Sequence, residues 1–191
     1  MGKNFSRNNT GKRRKSDLYE TPYSMTRHLF EKEAFDMRLP CLEPACGNLA
    51  MVKVLMEYFP DVQFYDEEHD FLQETREFDY VITNPPYSLA LQFILKAKEI
   101  TRNKFCMLLP LSYLHGKQRF DQIYQDRRFP LARVHVFTRY PLLGEDLRED
   151  GKYRTGMMVY AWYVWDREHQ GPPQLNWIDN NEDILRGGKC G

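Results

Sequence analysis

The chain has 191 residues and a mass of 22.9 kDa, enough for one domain with a sizeable core and scarcely enough for two. Hydrophobic residues make up 42% and aromatics 14%, which excludes a wholly disordered or collagen-like chain. The 27 basic side chains balance 27 acidic ones, which excludes a uniformly basic nucleic-acid binder but not a locally basic one.

The longest apolar-rich run, residues 157–165, carries no charge but is far too short to span a bilayer. No apolar stretch follows the basic N-terminal residues, so no secretory signal is expected. Cys41, Cys46, Cys106 and Cys190 show neither Cys-x-x-Cys spacing nor histidines at zinc-finger intervals. They read as free thiols. A soluble, cytoplasmic protein without a metal site is the expectation.

Residues 1–15 hold Lys3, Arg7, Lys12, Arg13, Arg14 and Lys15 and no acid, which leaves 21 basic against 27 acidic residues in the remainder. This tail is rich in Asn, Gly and Ser and is expected to be disordered. It reads either as an arm that holds phosphates or as a solvated tail. A single domain is expected over 16–191, with 166–191 largely irregular.

Thr21-Pro22 reads as a helix start, Thr as N-cap and Pro at the first helical position, with Met25, Leu29 and Phe30 as the apolar face. A short strand over 40–43 runs into the turn Pro44-Ala45-Cys46-Gly47. A helix with Val52, Leu55, Met56 and Phe59 at helical spacing follows, stopped by Pro60. Residues 62–66 predict a second strand, and 80–83 a third that ends at Asn84-Pro85-Pro86-Tyr87. Ala90, Phe93, Ile94 and Ala97 mark a helix, and the continuous apolar run 105–111 a strand buried on both faces. Phe120, Ile123 and Tyr124 predict another helix, Val134 and Val136 a strand, and 157–165 the last strand. Strands alternating with helices predict an α/β fold with a mostly parallel sheet covered on both faces. The last two strands lack an intervening helix and predict an antiparallel pair at one edge. Ligands of such sheets bind at the carboxyl ends of the strands.

Two turns lie at such ends. In Glu43-Pro44-Ala45-Cys46-Gly47-Asn48-Leu49 a glycine lets backbone approach a ligand, and an acid at the strand end can accept hydrogen bonds. The turn lacks Gly-x-Gly-x-x-Gly and any Lys-Ser/Thr, which argues against a dinucleotide or triphosphate. In Asn84-Pro85-Pro86-Tyr87 two prolines stiffen the backbone and present the Asn84 side-chain oxygen and the Pro85 carbonyl beside an aromatic ring. Two fixed acceptors and a stacking face suit a planar, amino-bearing group. Acceptors on both hydrogens favour a pyramidal nitrogen and help release its lone pair in the transition state.

Together these residues resemble the class I methyltransferases that use S-adenosyl-L-methionine, in particular the adenine-N6 branch. Leu42-Glu43-Pro44-Ala45-Cys46-Gly47 is similar to the family's first cofactor motif, and Asn84-Pro85-Pro86-Tyr87 matches its catalytic motif. Thr21-Pro22 is similar to the segment that closes over the methionine end of the cofactor. The likeness runs over about residues 17–165. The motif order resembles the gamma class, and the small size resembles compact phage-type enzymes.

The resemblance implies a Rossmann-like fold and methyl transfer to the N6 amine of a flipped adenine in double-stranded DNA. It implies Glu43, Ala45 and Gly47 around the methionine moiety, with Tyr19, Thr21 and Pro22 over it. Asp66, placed on the second strand, would take the ribose hydroxyls, with Glu67 or Glu68 as replacements. Asp70 would bind the cofactor adenine amine and Phe71 would pack its ring. Asn84 and Pro85 would accept from the substrate amine, Pro86 would stiffen the turn, and Tyr87 would stack on the target base. Leu49 departs from the pattern, standing where many relatives have glycine, and only three residues separate Asp66 from Asp70. An RNA adenine, a protein glutamine amide, or a non-catalytic nucleic-acid binder that keeps the fold are the alternatives.

His115, after a buried strand, sits at the expected site end as a structural or substrate-touching histidine. Residues 139–156 form a long polar connection whose Arg139, Tyr140, Arg148, Lys152 and Arg154 could meet nucleic acid alongside Lys12, Arg13 and Arg14.

Overall fold

The structure is a computed structural model that describes residues 21–66, 68–138 and 159–180. Tyr19, the basic residues Lys12, Arg13 and Arg14, Glu67, and the connection bearing Arg139, Tyr140, Arg148, Lys152 and Arg154 lie outside the described residues.

Among the described residues seven strands form one sheet: β1 (Cys41–Glu43), β2 (Val62–Phe64), β3 (Phe78–Thr83), β4 (Thr101–Pro110), β5 (Leu131–Phe137), β6 (Tyr160–Asp166) and β7 (Gln174–Ile178). Their order is β2-β1-β3-β4-β6-β5-β7. All neighbours pair in parallel except β6, which runs antiparallel to both β4 and β5. The antiparallel pairing predicted for the last two strands is present, but not at the edge. There β7 adds a further parallel strand to β5, inside the segment expected to be largely irregular. The sequence does not predict this strand, and its pattern explains why. Five residues behind Pro172-Pro173 carry Leu175 and Trp177, both more than half exposed, and only Ile178 reaches the core. β2 also ends earlier than predicted, so Asp66 lies two residues beyond the strand.

The helices cover both faces, as the nearly continuous burial of the central strands requires. α1 (Tyr23–Lys32) and α2 (Ala50–Tyr58) pack one face, where Met25, Leu29, Met51 and Leu55 meet Ile82, Cys106, Leu108, Trp162 and Val164. α3 (Ala90–Ile100) packs the other, its predicted Ala90, Phe93, Ile94 and Ala97 against Val81, Phe105, Met107 and Trp165. The helix predicted around Phe120 is only a short α4 (Lys117–Arg119) running into a π-helical turn (Phe120–Tyr124). Ile123 is its sole buried side chain, and Phe120 is exposed. Trp162 on β6 donates its indole N–H to the Met25 carbonyl at 2.7 Å, which pins the start of α1 to the sheet.

Among the described residues no helix is long and apolar enough to cross a membrane. The end of the sheet formed by the strand starts is closed by a buried ion network. Glu33, after α1, receives Arg133 of β5 at 2.9 Å and Lys104 of β4 at 2.9 Å, and lies 2.8 Å from His135 Nε2. Burial pushes the Glu33 carboxyl up, but the hydrogen bonds from His135, Arg133 and Lys104 outweigh it and bring the pKa down to about 2.

Candidate active site

Three segments converge at the opposite end, where the parallel strands finish. The first is the turn after β1. Glu43 is 1% exposed, and its Oε1 accepts from the Ala45 N–H at 2.9 Å and from the Thr83 hydroxyl at 2.5 Å. The backbone is tied to β2 as well, because Cys46 N–H donates to the Tyr65 carbonyl at 3.1 Å and Tyr65 N–H to the Glu43 carbonyl at 3.0 Å. Burial pushes the Glu43 carboxyl up to about 8, with the Thr83 and Ala45 hydrogen bonds working against that rise. No cation pairs with it among the described residues.

Gly47 (φ 48°) and Leu49 (φ 68°, ψ 13°) then take left-handed conformations that swing the chain into α2, with Asn48 Oδ1 accepting from Ala50 N–H at 3.2 Å. Leu49 thus holds the backbone geometry that glycine adopts freely. The sequence departure has not displaced the helix start into an ordinary conformation; it loads that start with strain of about 1–2 kcal/mol.

The second segment is the turn after β3. Asn84 and Pro86 are half-buried, Pro85 is buried, and Tyr87 opens a single 3-10 turn (Tyr87–Leu89) before α3. The Tyr87 ring lies 5.9 Å from that of Tyr160, the first residue of β6, at 39°. Tyr160 is placed there because β6 runs backwards and pairs Tyr160 with Pro110 at the end of β4.

The third segment precedes α1. Pro22, not Thr21, is the N-cap, and no side chain caps the helix. Thr21 is buried, and its hydroxyl instead accepts from the Asn84 side-chain amide at 3.0 Å. The predicted helix cap is therefore a contact of the Asn84-Pro85-Pro86-Tyr87 turn. The reason is tertiary: Trp162 fixes α1 so that its leading residue lies over the end of β3.

The structure links Thr21 to Asn84 and Ala45 to Glu43, which Thr83 joins to the Asn84 turn; Tyr87, later in that turn, lies beside Tyr160. The acidic segment lies to one side. Asp66 is exposed and its Oδ1 accepts from Glu68 N–H at 3.0 Å; Asp70 is exposed and caps a 3-10 turn (Phe71–Gln73) through Leu72 N–H at 3.0 Å. Phe71 is a core residue, 2% exposed, with its ring 4.8 Å from Phe93, and offers little surface to a ligand ring. His69 stacks on Tyr65 at 3.8 Å and presents an outward ring in the same region. His115 is exposed beyond the end of β4, its carbonyl accepting from Arg119, whose guanidinium covers the Tyr113 ring at 4.2 Å. It stands outside the Thr21–Asn84–Glu43 group. The residue missed by sequence reasoning is Thr83. Its only signal is a hydroxyl at the end of a buried strand, directly before Asn84.

Among the described residues no three His, Cys, Asp or Glu side chains gather as a metal site requires. The described contacts instead tie one buried acid, Glu43, through Thr83 to the turn that carries Asn84.

No protein-family model matches this sequence, and no curated protein matches it. Solved structures do match its fold. A Listeria monocytogenes protein described as a class I S-adenosylmethionine-dependent methyltransferase superposes with a TM-score of 0.60 at 12% identity, over 92% of this chain and 71% of that one. A Vibrio vulnificus protein described as the modification subunit of a type I restriction enzyme gives 0.59 at 12%, over 86% of this chain and 48% of that one. The 23S rRNA methyltransferase ErmE gives 0.53 at 13%, over 80% and 71%. The chain spans about half the length of the restriction-enzyme subunit. At such identities the likeness is one of fold: this chain has the Rossmann-like fold of the class I methyltransferases.

Proposed function

We propose that this protein transfers a methyl group from S-adenosyl-L-methionine to the exocyclic N6 of adenine in double-stranded DNA. The observation that carries this reading is the joining of three segments at one strand end. Asn84 of the Asn-Pro-Pro-Tyr turn bonds Thr21, and its neighbour Thr83 bonds Glu43 of the cofactor turn. A buried carboxylate without a cation among the described residues suits a cofactor that brings positive charge, which is the fit expected of a sulfonium with an α-ammonium group.

The cofactor supplies an electrophilic methyl group; the protein positions what attacks it. Asn84 Oδ1 and the Pro85 carbonyl accept the two hydrogens of the target amine and favour the nitrogen whose lone pair is free to attack. Tyr87 offers the face on which the flipped base stacks. The amine loses its proton after attack, so no strong base is required. The adenine branch is favoured by the Thr-Pro segment, which here contacts Asn84 directly.

The test is transfer from labelled cofactor to duplex DNA, with RNA and protein lysate alongside and the modified nucleoside identified. N6-methyladenine in DNA supports the reading. Label in RNA or in glutamine moves the substrate and keeps the active-site assignment.

A further inference from the structure

Glu43 and Thr83 form the single side-chain link between the cofactor turn and the catalytic turn among the hydrogen bonds described above. Thr83 is the last residue of β3 and is fully buried, and its hydroxyl is 2.5 Å from Glu43 Oε1. The Ala45 N–H donates to that same oxygen at 2.9 Å. Both donors therefore converge on one carboxylate oxygen from two different turns, and the residue after Thr83 is Asn84.

Resting on the function proposed above, we propose that Thr83 is a positioning residue: through Glu43, its hydroxyl makes the pose of Asn84 depend on whether the cofactor cleft holds a cation. Among the described residues, the environment of Glu43 has no internal substitute for that cation. From β1 and its turn the groups that face it are the Cys41 and Cys46 thiols, which burial pushes up and keeps neutral. From β3 it meets only the Thr83 hydroxyl, and on the β2 side the Tyr65 phenol turns away to Glu74 and Arg76. Burial accordingly keeps the carboxyl protonated at neutral pH when no cation is near. A cation in the cleft favours the ionised form, and the proton leaves to solvent. Hydrogen bonds to an ionised acceptor are roughly twice as strong as neutral ones, so the Thr83 contact tightens on binding and draws the start of the Asn84 turn with it.

The test uses the whole protein and titration calorimetry with S-adenosyl-L-methionine in two buffers of different ionisation enthalpy. The expected result at pH 7 is release of about one proton per cofactor bound, with affinity rising about tenfold per pH unit below about pH 8. Glu43→Gln removes the proton release. Thr83→Val moves the rise in affinity to higher pH by about one unit and lowers turnover at saturating cofactor about tenfold, and Thr83→Ser restores both. A purely structural threonine would change the melting temperature without moving the pH midpoint. Binding without proton release, or an unmoved midpoint in Thr83→Val, overturns this coupling and leaves the proposed function standing. Failure of the wild type to bind cofactor at any pH overturns both.

Discussion

The side-chain amide of Asn84 donates to the hydroxyl of Thr21, 3.0 Å away and 63 positions earlier in the chain. An asparagine amide has a donor end and an acceptor end, and only the acceptor end can receive a substrate N–H. By engaging the nitrogen, Thr21 fixes the amide orientation, which under the proposed function is the one that turns the oxygen to substrate. Thr21→Val keeps the shape and removes the acceptor. Turnover is expected to fall about tenfold or more, the loss of about 1.4 kcal/mol in the transition state, while Thr21→Ser retains activity. Single-turnover methyl transfer with matched cofactor-binding curves separates this from a cofactor defect.

Leu49 offers a stability test that is independent of chemistry. Its left-handed φ of 68° costs a side-chain residue about 1–2 kcal/mol, and the residue is 37% exposed, so packing compensates only in part. Leu49→Gly is expected to stabilise the fold by up to about 1 kcal/mol, after allowing for the greater freedom of glycine in the unfolded chain. Leu49→Val, branched at Cβ, is expected to destabilise it. Denaturant midpoints of the two variants against wild type check the opposite signs.

Glu33 predicts an acid limb of stability. Its folded pKa, near 2, lies below the ordinary glutamate value of 4.5, so the folded state binds the proton less readily than the unfolded state. The contribution is full above pH 4.5 and is lost as pH falls from there through about 2. Glu33→Gln leaves Arg133 and Lys104 with a neutral partner in a buried site and is expected to cost about 3 kcal/mol at neutral pH. Its difference from wild type should shrink as the solution is acidified, which denaturation curves at several pH values would show. The network lies at the far end of the sheet from Asn84, so activity per folded molecule should persist.

The parts of this molecule legible in the sequence are those set by local chemistry or by unbroken periodicity. The buried run of β4, the apolar face of α3 and the two turns at Glu43 and Asn84 are of that kind. What escaped was decided by partners distant in sequence. Thr21 looks like a helix cap because Thr-Pro before an apolar face usually is one, yet the hydroxyl bonds Asn84 once Trp162 has fixed α1. Thr83 looks like an ordinary strand end until β1 places Glu43 against it. β7 is hidden because an edge strand needs only one apolar anchor, here Ile178, and takes its hydrogen bonds from β5. Phe71, expected to pack the cofactor ring, is buried with its ring against Phe93, a contact its position in the sequence does not reveal. In each case the missing information was a neighbour, not a residue type.

The most direct measurement is methyl transfer from labelled S-adenosyl-L-methionine to duplex DNA by wild type and Asn84→Ala, with the modified nucleoside identified after digestion. The account predicts N6-methyladenine from the wild type. For Asn84→Ala it predicts a loss of about 100-fold or more, with cofactor binding retained. Normal turnover by Asn84→Ala, or no methylated adenine in DNA from a wild type that binds the cofactor, would contradict it.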